Sequence, residues 1–124
     1  MTQLTTYIGT KIVGAMPEKA GNGAEGYRLV YANGYTSWSP KESFEEAYRP
    51  TSAMTFGDAL VMLKAGRMVK RRGVGRVMLV GDANSAVPML LHSIDSQHED
   101  DDGPESIYEP SLHDMLAEDW QVVE

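Results

Sequence analysis

The chain has no cysteine. That excludes a disulfide scaffold, a cysteine-ligated zinc site and a thiol nucleophile. No apolar run approaches the ~20 residues that span a bilayer, so no membrane partner is expected. The start, Met1-Thr2-Gln3-Leu4-Thr5-Thr6, lacks the basic and apolar regions of a signal peptide, and a cytoplasmic location is expected. Basic residues are absent from 93 to 124, a stretch with eleven acidic ones. Residues 54–92 carry six basic against two acidic, and residues 1–53 carry five of each. The net charge of −7 therefore hides a basic middle and an acidic tail. An acidic balance argues against DNA or RNA as a partner, because such binding draws on Lys/Arg–phosphate contacts.

Signals for catalysis are equally scarce. Gly73-Val74-Gly75 reads as a hairpin turn rather than a phosphate-cradling loop that opens a helix. No Ser/His/Asp arrangement stands out. His92, His98 and His113 do not form a metal spacing, and His98-Glu99-Asp100-Asp101-Asp102 lacks the alternating oxygen ligands of a calcium loop. The chain is expected to be no enzyme and to need no metal and no cofactor.

What is present reads as an α+β fold. The 124 residues suit one ordinary domain or two very small modules sharing a core. Residues 1–50 form a small β-rich module, with strand-like runs at 6–8 and 11–13 and a loop over 14–24. A hairpin through Asn33-Gly34 follows, with positive φ expected at both turn residues. Ser39 and Glu42 would then cap a helix that carries Phe44, Ala47 and Tyr48. Residues 54–124 open with a capping box, Thr55 and Asp58. Phe56, Ala59, Leu60 and Leu63 fall on one helix face, and Gly66 suits the helix end. Three strand-like runs then make an antiparallel meander, at 68–71, 77–80 and 87–94. An acidic loop over 95–106, a capping box at Ser111 and Asp114, and a last strand from Trp120 complete the chain.

Several residues suit an anionic, aromatic-loving ligand. Lys64, Arg67, Lys70, Arg71, Arg72 and Arg76 form a basic cluster matching phosphate oxygens, and Lys70, Arg71, Arg72 and Arg76 are the binding candidates among them. Lys70 and Arg72 would share one strand face, with Arg71 opposite; a solvated strand edge is the competing reading. Tyr108, ahead of a helix start, can stack on a base, whereas Trp120 reads as core. Ser111 and Asp114 read first as a helix cap. The same helix start offers N–H groups to an anion, and Asp114 could accept from a ribose hydroxyl or an adenine amine.

Three stretches carry a resemblance. They are Met54-Thr55-Phe56-Gly57-Asp58-Ala59-Leu60, Leu63-Lys64-Ala65-Gly66-Arg67, and Asp114-Met115-Leu116-Ala117-Glu118-Asp119-Trp120-Gln121-Val122-Val123. Residues 54–124 thereby resemble the phage Thoeris anti-defence type-two-like family. Residues 1–50 resemble an upstream region found on some phage members, through Tyr7-Ile8-Gly9-Thr10-Lys11, Glu25-Gly26-Tyr27, Gly34-Tyr35-Thr36-Ser37-Trp38-Ser39-Pro40-Lys41 and Phe44-Glu45-Glu46-Ala47-Tyr48. Where family members usually have Arg-x-Gly-Trp-Asn-Gly-x-Gly-Met, this chain has Arg71-Arg72-Gly73-Val74-Gly75-Arg76-Val77-Met78. The pre-helix Pro-Trp is replaced by Tyr108-Glu109-Pro110. Met78 and Pro110, in these two stretches, complete the ligand-binding candidates.

The resemblance implies a non-catalytic sponge. Such a protein holds a cyclic ADP-ribose isomer, or cyclic di- and trinucleotides, in the cytoplasm of an infected bacterium. It implies homotetramers with pockets between subunits. An acidic interaction module, inhibiting a host protein or mimicking DNA, is the alternative, and a hydrolase of the same ligand a third.

Overall fold

In the computed structural model, residues 3–82, 84–93 and 105–124 are described. The acidic run Glu99–Asp102 and His98 lie outside the described residues. The fold is α+β, as expected, and the chain divides into two compact units, Met1–Arg49 and Pro50–Glu124.

The first unit is a three-stranded antiparallel sheet in the order β1 (Gly14–Pro17), β2 (Gly26–Val30), β3 (Thr36–Pro40), followed by helix α1 (Lys41–Ala47). Four expectations need correcting here. The runs at 6–8 and 11–13 are not strands; Tyr7 and Ile8 stand in solvent. The sheet offers one open edge on that side, and residues 14–17 take it, inside the stretch expected to be loop. An edge tolerates Gly14 and Pro17 because no second partner needs their backbone groups. Glu18 fixes the end of β1. Its N–H donates to the Gly26 carbonyl at 2.9 Å, its carbonyl accepts from the Trp38 indole at 2.8 Å, and its carboxylate takes Arg28 at 2.8 Å. The hairpin does form at Asn33-Gly34, but only Gly34 has positive φ (84°). The Gly34 N–H donates to Tyr31 and the Tyr31 N–H to Tyr35, so the loop is a three-residue turn with one left-handed glycine. Ser39 does not cap α1, because it is still paired in β3 opposite Tyr27; Pro40 takes the cap position without a side-chain bond. Among the described residues of this unit Leu29 is the one buried apolar side chain, and Tyr27, Phe44 and Tyr48 stack on one another at centroid spacings of 4.1 and 5.1 Å.

The second unit places helices α2 (Phe56–Lys64) and α3 (Leu112–Leu116) with a five-stranded antiparallel sheet. Its strands run in the order β7 (Glu105–Ile107), β6 (Met89–Ser93), β5 (Gly75–Val80), β4 (Val69–Arg71), β8 (Gln121–Val122). β7 is a further correction, since residues 105 and 106 were expected in a loop; the open edge of β6 recruits them. Both capping boxes of this unit form as read. α2 ends in a Schellman motif: Gly66 (φ 87°) donates to Leu63 and Arg67 to Met62, each at 3.0 Å. Met54, Ala59, Met62, Leu63, Val69, Val77, Tyr108 and Trp120 form the core. Trp120 is fully buried, its segment bridged to Met54 by paired backbone bonds.

Register sorts the sheet into two faces. Val122, Val69, Val77, His92 and Ser106 form one row across it, on the core side. The neighbouring row, Gln121, Lys70, Arg76 and Ser93, points the other way. So do Met78, Leu91 and Ile107.

Candidate functional site

At the β4–β5 turn end of this sheet lies a hollow of about 430 Å³, lined by Gly73, Val74, His92, Ile107, Tyr108, Glu109 and Asp114. Its volume falls in the range of small-molecule sites, roughly 300–1,000 Å³. Three pieces of chain build it. The β4–β5 turn supplies Gly73, whose φ of 81° suits glycine, and Val74. β6 supplies His92. The segment from β7 into α3 supplies the rest.

Asp114 is the organising group, half a helix turn into α3 and nearly buried. Its Oδ2 accepts from the Tyr108 hydroxyl at 2.8 Å and the Ser111 N–H at 3.2 Å. Its Oδ1 accepts from Arg71 Nη1 at 3.0 Å. Its own N–H donates to Ser111 Oγ at 3.1 Å, and its carbonyl accepts from the Trp120 indole at 2.9 Å. Arg71 also reaches Asp119 through Nε at 2.8 Å. Burial by itself would raise the carboxyl of Asp114. The bonds from Tyr108 and Ser111 and the charge of Arg71 outweigh it and hold the group below its usual value. The Tyr108 phenol is pushed well up, first by burial and then by its bond to Asp114, so it stays a donor. Arg71 is therefore shared between two carboxylates, and the Asp114 charge at the hollow is paired rather than free.

His92 was not among the sequence candidates. Its Nδ1 lies 3.0 Å from the Val74 carbonyl, and its ring sits 5.2 Å from that of Tyr108, tilted by 50°. The only sequence signal was a polar residue interrupting an apolar strand, which also describes an ordinary half-buried histidine. Gly73 and Val74 read as a hairpin turn; they and Glu109 lie in the two stretches that depart from the family pattern, and none of the three was a binding candidate.

The sequence candidates separate into four places. Tyr108 and Asp114 line the hollow, with Ser111 and Arg71 bonded directly to Asp114. Arg72 adjoins it: it lies exposed in the turn beside Gly73, beyond the end of β4, not on a strand face with Lys70. Lys70, Arg76 and Met78 stand on the opposite sheet face, Lys70 and Arg76 directly across from each other. Pro110 follows Glu109 on the chain, half-buried ahead of the Ser111 cap. Among the described residues no group of three His, Asp or Glu side chains could hold a metal. No helix among them is long and apolar enough to cross a membrane.

A family model described as the Thoeris anti-defense 2-like domain matches residues 54–123, more than half of the chain and nearly all of the second unit. No curated protein and no solved structure matches.

Proposed function

The chain belongs to the Thoeris anti-defense 2-like family, and from that premise we propose that it is a non-catalytic sponge. An anti-defence role comes with the family. The finer reading is that the chain binds cyclic nucleotide immune signals, such as cyclic ADP-ribose isomers and cyclic di- or trinucleotides, and withholds them from their effector in the cytoplasm of an infected bacterium. The observation that carries this is the hollow over Tyr108 and Asp114, formed within the matched region by residues of that region. A sponge needs ground-state affinity and no transition-state complementarity. A wall of satisfied groups around Asp114, with aromatic and apolar surface above it, suits that need.

The phosphates would be met by Arg72, exposed on the turn that forms one wall. Arg71 is held by two carboxylates and supports the wall instead. The opposite sheet face exposes Met78, Val80 and Ile107 beside Lys70 and Arg76. Such a face supports assembly as a homo-oligomer, with the tetramer of the family as the expected state.

The test is a thermal shift with cyclic ADP-ribose, cyclic di-AMP and cyclic tri-AMP. A ligand at a hundred times its Kd adds about 2.7 kcal/mol to the folded state, a shift of several degrees. Arg72→Glu should remove the shift while leaving the unliganded melting temperature in place. No shift with any of the three contradicts the proposal.

A further inference from the structure

The row Val122, Val69, Val77, His92, Ser106 sets a histidine among core valines. Such a position normally takes another apolar residue, and His92 faces the hollow instead of filling it. Its hydrogen bond settles its chemistry. The Val74 carbonyl can only accept, so the Nδ1 at 3.0 Å must carry the proton. In the neutral ring that leaves Nε2 as a bare acceptor. Among the described residues Nε2 has no partner. The ring cannot turn over to exchange its nitrogens without losing the Val74 bond, and Tyr108 packs against it at 5.2 Å.

We propose that His92 is the specificity-determining group of the hollow, accepting a hydrogen bond through Nε2 from an N–H or O–H of the nucleoside part of the ligand. This rests on the sponge reading above and says how the same site selects. The other polar groups around the hollow fit the assignment. Asp114 is occupied by Tyr108, Ser111 and Arg71, and Glu109 at the rim carries a negative charge. Neither offers a donor to phosphate. The hollow thus suits the donor-bearing amine and hydroxyl end of a nucleotide, and leaves the phosphates to Arg72 outside. A site built to accept from a donor rejects analogues that lack it, because its own polar atom is then left unpaired.

Two measurements test this with the full chain and the same three probes. First, the affinity of the tightest-binding probe is compared in His92→Phe and His92→Gln by calorimetry. Phe keeps a ring against Tyr108 and removes the acceptor; Gln keeps an acceptor. We expect at least a tenfold loss in His92→Phe and recovery to within about threefold in His92→Gln. Second, nitrogen NMR of the unaltered chain follows the His92 ring, which needs no variant to fold. Its Nε2 resonance should shift upfield as that nitrogen accepts a bond on addition of the probe. Undiminished affinity in His92→Phe, or an Nε2 resonance unmoved by saturating probe, overturns this inference and leaves the sponge standing. Failure of the unaltered chain to bind any probe overturns both.

Discussion

The two units of the chain are held together in different ways. Among its described residues the first has one buried apolar side chain, Leu29, and it relies on stacked aromatic rings and on the polar clamp of Glu18. Leu4, Tyr7 and Ile8 stand in solvent ahead of it. Among its described residues the second has eight buried core residues, a full helix C-cap, two capping boxes and a part-buried ion pair tied to Trp120. The family match falls on the second. The region that the family model matches is thus the one that holds the larger core and the hollow.

The largest expected effect separates the units directly. Trp120→Ala removes a fully buried ring and leaves the Asp114 carbonyl without its donor. A loss of about 3–5 kcal/mol is expected, enough to abolish cooperative unfolding of residues 50–124 by calorimetry. Leu29→Ala empties the buried apolar position of the first unit and should cost about 2–4 kcal/mol there.

Next comes Asp114→Asn, which leaves Arg71 with Asp119 as its one remaining carboxylate and weakens the bond from Tyr108. A cost of roughly 2–4 kcal/mol is expected in urea unfolding. Its pH dependence has a definite sign. The carboxyl is lowered in the folded state from its ordinary 3.8, so the folded chain binds fewer protons than the unfolded one. The stability it contributes is full above about pH 5 and drains away as pH falls through the lowered value. The variant should lose that part of the acid slope.

Gly66→Ala places a side chain at a φ of 87° and should cost about 1 kcal/mol. The caps give the finest comparison. Thr55→Ala breaks a formed capping box and should cost about 1 kcal/mol. Ser39→Ala touches no cap in the first unit and should stay within about 0.5 kcal/mol.

That last pair shows what the sequence could and could not reveal. Thr55/Asp58 and Ser111/Asp114 were legible because each serine or threonine precedes an apolar helical period and meets its own local partner. Ser39 carries the same local signature, but strand pairing with Tyr27 claims it first. The strands at 14–17 and 105–107 were missed for a related reason. Neither has a period of its own, and each exists because a neighbouring strand offers an open edge. At the site, Asp114 was legible through the cap and the resemblance, and Tyr108 as an aromatic residue ahead of a helix start. Their bond to each other and to Arg71, which is distant in sequence, was not. His92 escaped because its role depends on the turn at Val74, eighteen residues away, and on the row of valines beside it.

The central claim is that this chain holds an intact signal rather than altering it. The most direct test incubates the purified protein with cyclic ADP-ribose, removes free ligand, denatures the protein by heat and analyses the released material by mass spectrometry. The account predicts recovery of unaltered cyclic ADP-ribose in a fixed ratio to protein, with Arg72→Glu releasing little or none. Release of cleaved ligand, or of no nucleotide from this probe or from cyclic di- and tri-AMP, would contradict it.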